Sequence, residues 1–227
     1  MKPEPFTVAA PWWAVVNIDQ RRSRSSPDLV PELLDALTDL DVELPAERTA
    51  GDEVQLLTGS PGAVARLLET VARGEDWRVG VGVGPVEMPL PSGVRQARGP
   101  AFVAAREAIN AAHSSPTSLA LLAAPRPVGG GDYAECQRDA FRSRRVAEAH
   151  VVAGLLHHLW SRRTQEGWDV IDQLRRTGTG RAAAERLNIS PSAVSQRLRT
   201  AGWQPAEQGR ELLESLLGEA LTGGQDQ

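Results

Sequence analysis

The stretch "GWDVIDQLRRTGTGRAAAERLNISPSAVSQRLRTAGW", Gly167–Trp203, decides how the chain divides. Its apolar residues recur at helical spacing, and turn-forming residues break it into three short helices. The first is expected to bury Val170, Ile171 and Leu174. The second, from about Gly180 to Leu187, offers the small Ala183 and Ala184 where two helices must approach closely. Asn188 sits in the turn after it and tolerates a left-handed backbone better than most residues. Ser190 is placed to cap the third helix, with Pro191 in its first turn. Val194 and Leu198 then face inward, and "WQPAEQGRELLESLL" continues as a fourth helix that leaves little room for a β wing.

Upstream the pattern changes. "WWAVVNI" (Trp12–Ile18) is a buried-strand signal, and "PDLVPELLDALTDL" (Pro27–Leu40) carries leucines at helical spacing. "VELPAERTAGDEVQLLTG" reads as two strands with a tight turn near Gly51. A helix follows, capped by Ser60, with Pro61 at its first position and Gly74 just past its end. "WRVGVGVGPV" alternates as a strand, and its glycines at 80, 82 and 84 share one face. Something packs close to that face, either a helix or a ligand. "GPAFVAAREAINAAH" is a helix and "TSLALLAAP" a strand. This order is the split βαβ pattern of ferredoxin-like folds, with one extra helix and strand. "PRPVGGGD" (Pro125–Asp132) reads as a linker, and everything beyond it is helical. The expected class is therefore α+β. Residues 1–127 form a ferredoxin-like domain, 128–165 a linker and dimerisation helix, and 166–227 an all-α unit.

Composition bounds the function. The chain has 227 residues, 41% of them hydrophobic, and a formal net charge of -4. Its single cysteine, Cys136, excludes an internal disulfide and fits a reducing compartment. The N-terminus lacks the apolar run of a signal peptide, and no segment approaches the length of a membrane helix. A cytoplasmic protein is expected. Charge is uneven: residues 160–204 carry eight arginines and four acids, the chain's basic block. That is where phosphate contact would require it, although a solvated arginine face gives the same count.

On the third short helix, Ser192, Ser195, Gln196 and Arg199 fall on the outer face beside the cap Ser190. These are side chains that reach base edges in a major groove, while Arg181 and Arg197 are placed to hold phosphates. One such helix reads few base pairs, so a homodimer is expected. The helix within Tyr133–Arg163 is the candidate dimer element, through Val146, Ala149, Val152, Ala153, Leu156 and Leu159. The same stripe would equally pack on its own chain. His150, His157 and His158 lie on this helix without a Cys or carboxylate at ligand spacing, and are read as structural.

"SPSAVSQRL" resembles the recognition helix of the helix-turn-helix in bacterial transcription regulators, over about 40 residues. The sheet-bearing half offers acids at strand ends: Asp19 after the first strand, and Asp52 and Glu53 in the hairpin. These are either metal and ligand groups or ordinary turn and cap residues. The arrangement resembles the palm domain of nucleotide cyclases and GGDEF-type diguanylate cyclases, where such acids bind metals. Closer still, the chain is similar to the SatD-like family over most of residues 12–125. The shared features are Asp19 followed by Ser23-Arg24, the Gly51-Asp52-Glu53 hairpin, and the "GPAF…AREAI" helix that carries Arg106.

This resemblance implies a metal site of Asp19 and Asp52, with Mg2+ as the ion. It also implies a nucleotide ligand held by Asp19, Ser23, Arg24, Asp52, Glu53 and Arg106. Phe102 stands where cyclases carry an Asn, and the chain's only lysine is Lys2, so ligand sensing is expected over turnover. The expected function is a dimeric regulator that binds double-stranded DNA and senses a nucleotide. A metal-dependent cyclase-like enzyme and a plain protein-interaction module are the alternatives.

Overall fold

A computed structural model of the chain describes residues 12–74, 76–125 and 133–224. Strand β1 (Trp13–Gln20) is followed by helix α1 (Val30–Leu37), the hairpin β2 (Leu44–Ala50) and β3 (Glu53–Thr58), and α2 (Pro61–Val71). Then come β4 (Trp77–Gly84), α3 (Pro100–Ala112) and β5 (Leu119–Ala123). The five strands form one mixed sheet in the order β2-β3-β1-β4-β5, antiparallel except for the β4–β5 pair. The hairpin turns at Gly51, whose φ of +58° is costly for other residues. As expected, Ser60 caps α2 by accepting the Ala63 N–H.

Alternation along the strands divides the two faces of the sheet. Val79, Val81 and Val83 point to the face covered by α1 and α2. Gly80, Gly82 and Gly84 point to the other, where α3 lies. A Cβ at Gly80 would stand 2.2 Å from the Ile109 nitrogen, and one at Gly82 2.1 Å from the Ala105 nitrogen. The glycine face thus admits a helix backbone, and of the two expected occupants it is the helix that fills it.

Beyond residue 133 the described chain is helical: α4 (Tyr133–Ser161), α5 (Gln165–Thr177), α6 (Gly180–Leu187), α7 (Pro191–Thr200) and α8 (Trp203–Thr222). The linker expected at 125–132 lies outside the described residues apart from Pro125. One apolar core runs from the sheet (Val16, Leu56, Val81, Leu121) through α4 (Val146, Ala149, Ala153, Leu156, Trp160) into α5 and α8 (Ile171, Leu213, Leu217). The stripe expected to supply a dimer is therefore largely consumed by the chain's own core. Only Val152 and Leu159 of that stripe stay partly open. α4 also covers the edge of the sheet. His150 Nδ1 accepts the Leu121 N–H at 3.2 Å, satisfying a donor that an edge strand leaves unpaired. His157 is half-buried, and burial holds its pKa below the usual histidine range, with the His158 and Arg21 charges acting in the same direction. The His150 ring thus serves the fold, and His158 is exposed. Among the described residues no helix is long and apolar enough to cross a membrane.

Candidate nucleic-acid interface

Three local caps build α5, α6 and α7 from the sequence. Thr164, Thr179 and Ser190 each accept the backbone N–H three residues on, from Gly167, Ala182 and Ala193. The α6–α7 connection is only three residues long because Asn188 adopts φ 53° and ψ 45°, and the Ile189 N–H closes back onto the Ala184 carbonyl at 3.0 Å. Val170, Ala184 and Val194 bury together, joined by Leu187, Ile189 and Leu198. Leu174 is half-exposed rather than buried. With Val194 and Leu198 turned inward, the opposite side of α7 must face out.

Ser190, Ser192, Ser195, Gln196 and Arg199 are all exposed, and none is covered by the sheet-bearing half. Ser190 and Ser192 share a hydroxyl contact of 2.8 Å, and the Ser195 hydroxyl donates to the Pro191 carbonyl at 3.1 Å. These are local bonds that a hydroxyl exchanges readily for an external partner. Arg199 makes no ion pair with a described residue. Arg181 is exposed beside Glu185, at 3.4 Å, so its charge is partly offset. Arg197 turns back and is half-buried. It lines a cleft of about 290 Å³ with Arg162, Thr164 and Gly167, at the N-terminus of α5. It therefore stands beside the outer face rather than on it.

The second group lies at one end of the sheet. Asp19 pairs in register with Glu53, and Asn17 with Gln55, whose amide donates to Asn17 Oδ1 at 2.7 Å. Asp19 Oδ2 accepts from Arg78 Nη1 at 3.1 Å, with His113 Nε2 at 3.9 Å. Burial raises the pKa of Glu53 above the usual carboxyl range. Arg106 opposes that rise, while Asp19 and Asp52 add to it. Asp52 lines a cleft of about 310 Å³ with Gln20, Ser23, Arg24, Asp28 and Arg48. Gln20 points to the face opposite Asp19, and its side chain holds the loop into α1. It donates to the Pro27 carbonyl at 2.6 Å and accepts the Leu29 N–H at 3.0 Å.

The ligand candidates thus divide. Ser23, Arg24 and Asp52 share a cleft, whereas Asp19, Glu53 and Arg106 cluster on the α3 side. A magnesium ion shared by Asp19 and Asp52 would compete with the Arg78 bond to Asp19. Asp19 is committed to Arg78, and no three His, Cys, Asp or Glu side chains converge as a metal-binding group among the described residues.

One polar cluster had no signal in the sequence beyond a lone acid inside an apolar helix. Glu69 of α2 is buried, and it receives Arg163 at 3.1 Å and Arg175 at 2.9 Å. Arg163, whose side chain is 1% exposed, also donates to the Ala201 carbonyl, and both Arg163 and Arg73 stack on Trp168. Arg73 forms a two-bond fork with Asp172, at 2.8 and 2.6 Å. These contacts seat α5, and with it α6 and α7, on α2. No protein-family model, curated protein or solved structure matches the chain.

Proposed function

We propose that the chain is a DNA-binding transcription regulator. In this reading α6 and α7 form a helix-turn-helix, with α7 as the recognition helix. The strands β2-β3-β1-β4, with α1 and α2 on one face, form a ferredoxin-like, cyclase-like unit extended by α3 and β5. The observation that carries the reading is the outer face of α7. It offers hydroxyl, amide and guanidinium groups free of the rest of the fold, on a helix whose other side is fixed by Val194 and Leu198. Double-stranded DNA presents base edges and phosphates that such groups pair with. Binding by two copies would place two recognition helices on successive turns.

The cleft of Ser23, Arg24, Asp52 and Arg48 is the place where a small anionic ligand such as a nucleotide would act. Arg48 is already tied to Asp28 at 2.8 Å, which leaves Arg24 as the guanidinium there without an ion pair to a described residue. A ligand in this cleft alters DNA binding only through unequal affinity for two arrangements of the chain.

The test is recovery of genomic fragments bound by the purified protein, followed by titration of one recovered duplex at several salt concentrations. Sequence-specific binding that weakens steeply with salt is expected. Equal affinity for all duplexes, or none at low salt, removes the reading. Thermal shifts with nucleoside phosphates test the cleft. An upward shift that is lost in Arg24→Ala supports it, and no shift at millimolar ligand counts against it.

A further inference from the structure

The apolar stripe anticipated on α4 is buried, but the helix carries a second one. Val151, Leu155 and Leu159 recur at i, i+4 and i+8, and are 61%, 64% and 36% exposed. Helix α8 runs antiparallel beside α4, as the Arg145–Glu219 pair and the close approach of Gly209 to Leu156 show. That register brings Leu212, 51% exposed, to the level of Val152. Four large apolar side chains therefore lie at least one-third exposed on one α4–α8 surface, more than the isolated exposed leucine of an ordinary surface.

We propose that this surface pairs with the same surface on a second copy, with the two α4 helices antiparallel and crossing at Leu155. The charges at its ends choose both the occupant and the direction. Glu148 lies seven residues before Leu155, ion-paired with Arg144 at 2.9 Å and Arg145 at 2.7 Å. Arg162 lies seven residues after it, exposed and without an ion pair to a described residue. A two-fold antiparallel crossing at Leu155 sets Leu155 against itself and Val151 against Leu159 of the other copy. It also sets Glu148 against Arg162 at both ends. A parallel pairing would face Glu148 with Glu148 and Arg162 with Arg162, which repels. The surface is thus self-complementary in one orientation. This deepens the dimeric part of the proposed function, and it gives the two α5–α7 units opposite flanks of the shared α4 pair.

Light scattering on the full chain at micromolar concentration should give about twice the 24.4 kDa chain mass. Leu155 is exposed, so Leu155→Glu should keep its circular-dichroism spectrum while raising the dimer dissociation constant on the order of 100-fold or more. Glu148→Arg alone and Arg162→Glu alone should each weaken the dimer, and the two together should restore it. Residue 148 lies in α4 and residue 162 just past its end, about 21 Å away at the helical rise, so such rescue can arise only between copies. A monomeric wild type, a dimer indifferent to Leu155→Glu, or a double reversal no tighter than either single variant would each overturn the pairing. Failure here is separable from failure of DNA binding. A monomeric wild type that binds a specific duplex sinks the pairing alone, whereas a dimer that ignores DNA sinks the regulator alone.

Discussion

The arginines of the α2–α5 junction and those of α7 have opposite fates. At the junction, Arg163 and Arg175 converge on Glu69, Arg73 forks onto Asp172, and Arg210 bridges Glu207 and Glu214. On the outer face of α7, Arg199 meets no carboxylate of a described residue, and Arg197 only skirts the start of α5. The same side chain is spent on architecture in one place and left available in the other. A guanidinium that is buried must be paired, because its desolvation is costly. One that is exposed and unpaired costs the fold little and remains free for an external phosphate or base. The difference teaches that the basic charge of residues 160–204 is not one patch. Part of it is neutralised internally at the junction, while Arg162, Arg176, Arg186 and Arg199 stay exposed without an ion pair to a described residue.

The sharpest way to break this comparison is to remove Glu69. Glu69→Ala leaves Arg163 buried without its carboxylate, and should cost about 3–5 kcal/mol in denaturant unfolding. A loss below about 1 kcal/mol would mean that the junction is not held as described. An apolar contrast is Gly82→Ala, where the new methyl meets the backbone of Ala105, which cannot yield. A loss of about 1–3 kcal/mol is expected by the same measurement.

The half-exposed Arg73–Asp172 fork should be worth far less, within about 1 kcal/mol. Its hydrogen bonds hold the Asp172 carboxyl below the usual range. The stability it adds is therefore present above the unfolded pKa and lost as pH falls through the folded one. Asp172→Asn should flatten that acid-side slope, and an unchanged slope would contradict the assignment. Glu53 has the opposite sign. Its raised pKa favours the fold at low pH and opposes it once the pH passes the folded value. Glu53→Gln should accordingly raise the melting temperature at pH 7 but leave it little changed below pH 4. Smallest of all, Gln196→Ala and Arg199→Ala should move stability by no more than about 0.5 kcal/mol, as fits residues the fold does not use.

Local signals were legible in the sequence because they act through neighbours in the chain. Ser60 and Ser190 cap the helices they precede, Asn188 takes the left-handed turn, and Gly51 turns the hairpin. The spacing of glycines 80, 82 and 84 showed that something sits close, but strand periodicity does not say what. α3 is the answer, and it comes from tertiary packing. The α4 stripe was readable as apolar, yet its partner was not. Intrachain burial and dimer burial demand the same spacing, and the chain's own core takes Val146, Ala149, Ala153 and Leu156. The acids at strand ends do meet at one end of the sheet, where Asp19 pairs in register with Glu53. Which face each side chain takes depends on strand register and on the hairpin turn, and these separate Asp52 from Asp19. Glu69 was invisible as an anchor because both of its arginines lie more than 90 residues away in the chain.

The central claim is that the outer face of α7 binds duplex DNA. The direct measurement is fluorescence anisotropy with a recovered genomic duplex, comparing wild type with the double variant Gln196→Ala, Arg199→Ala at matched salt and confirmed folding. The account predicts a loss of tenfold or more in affinity, about 1.4 kcal/mol, together with a shallower salt slope. A folded double variant that binds the duplex as tightly as wild type would contradict it.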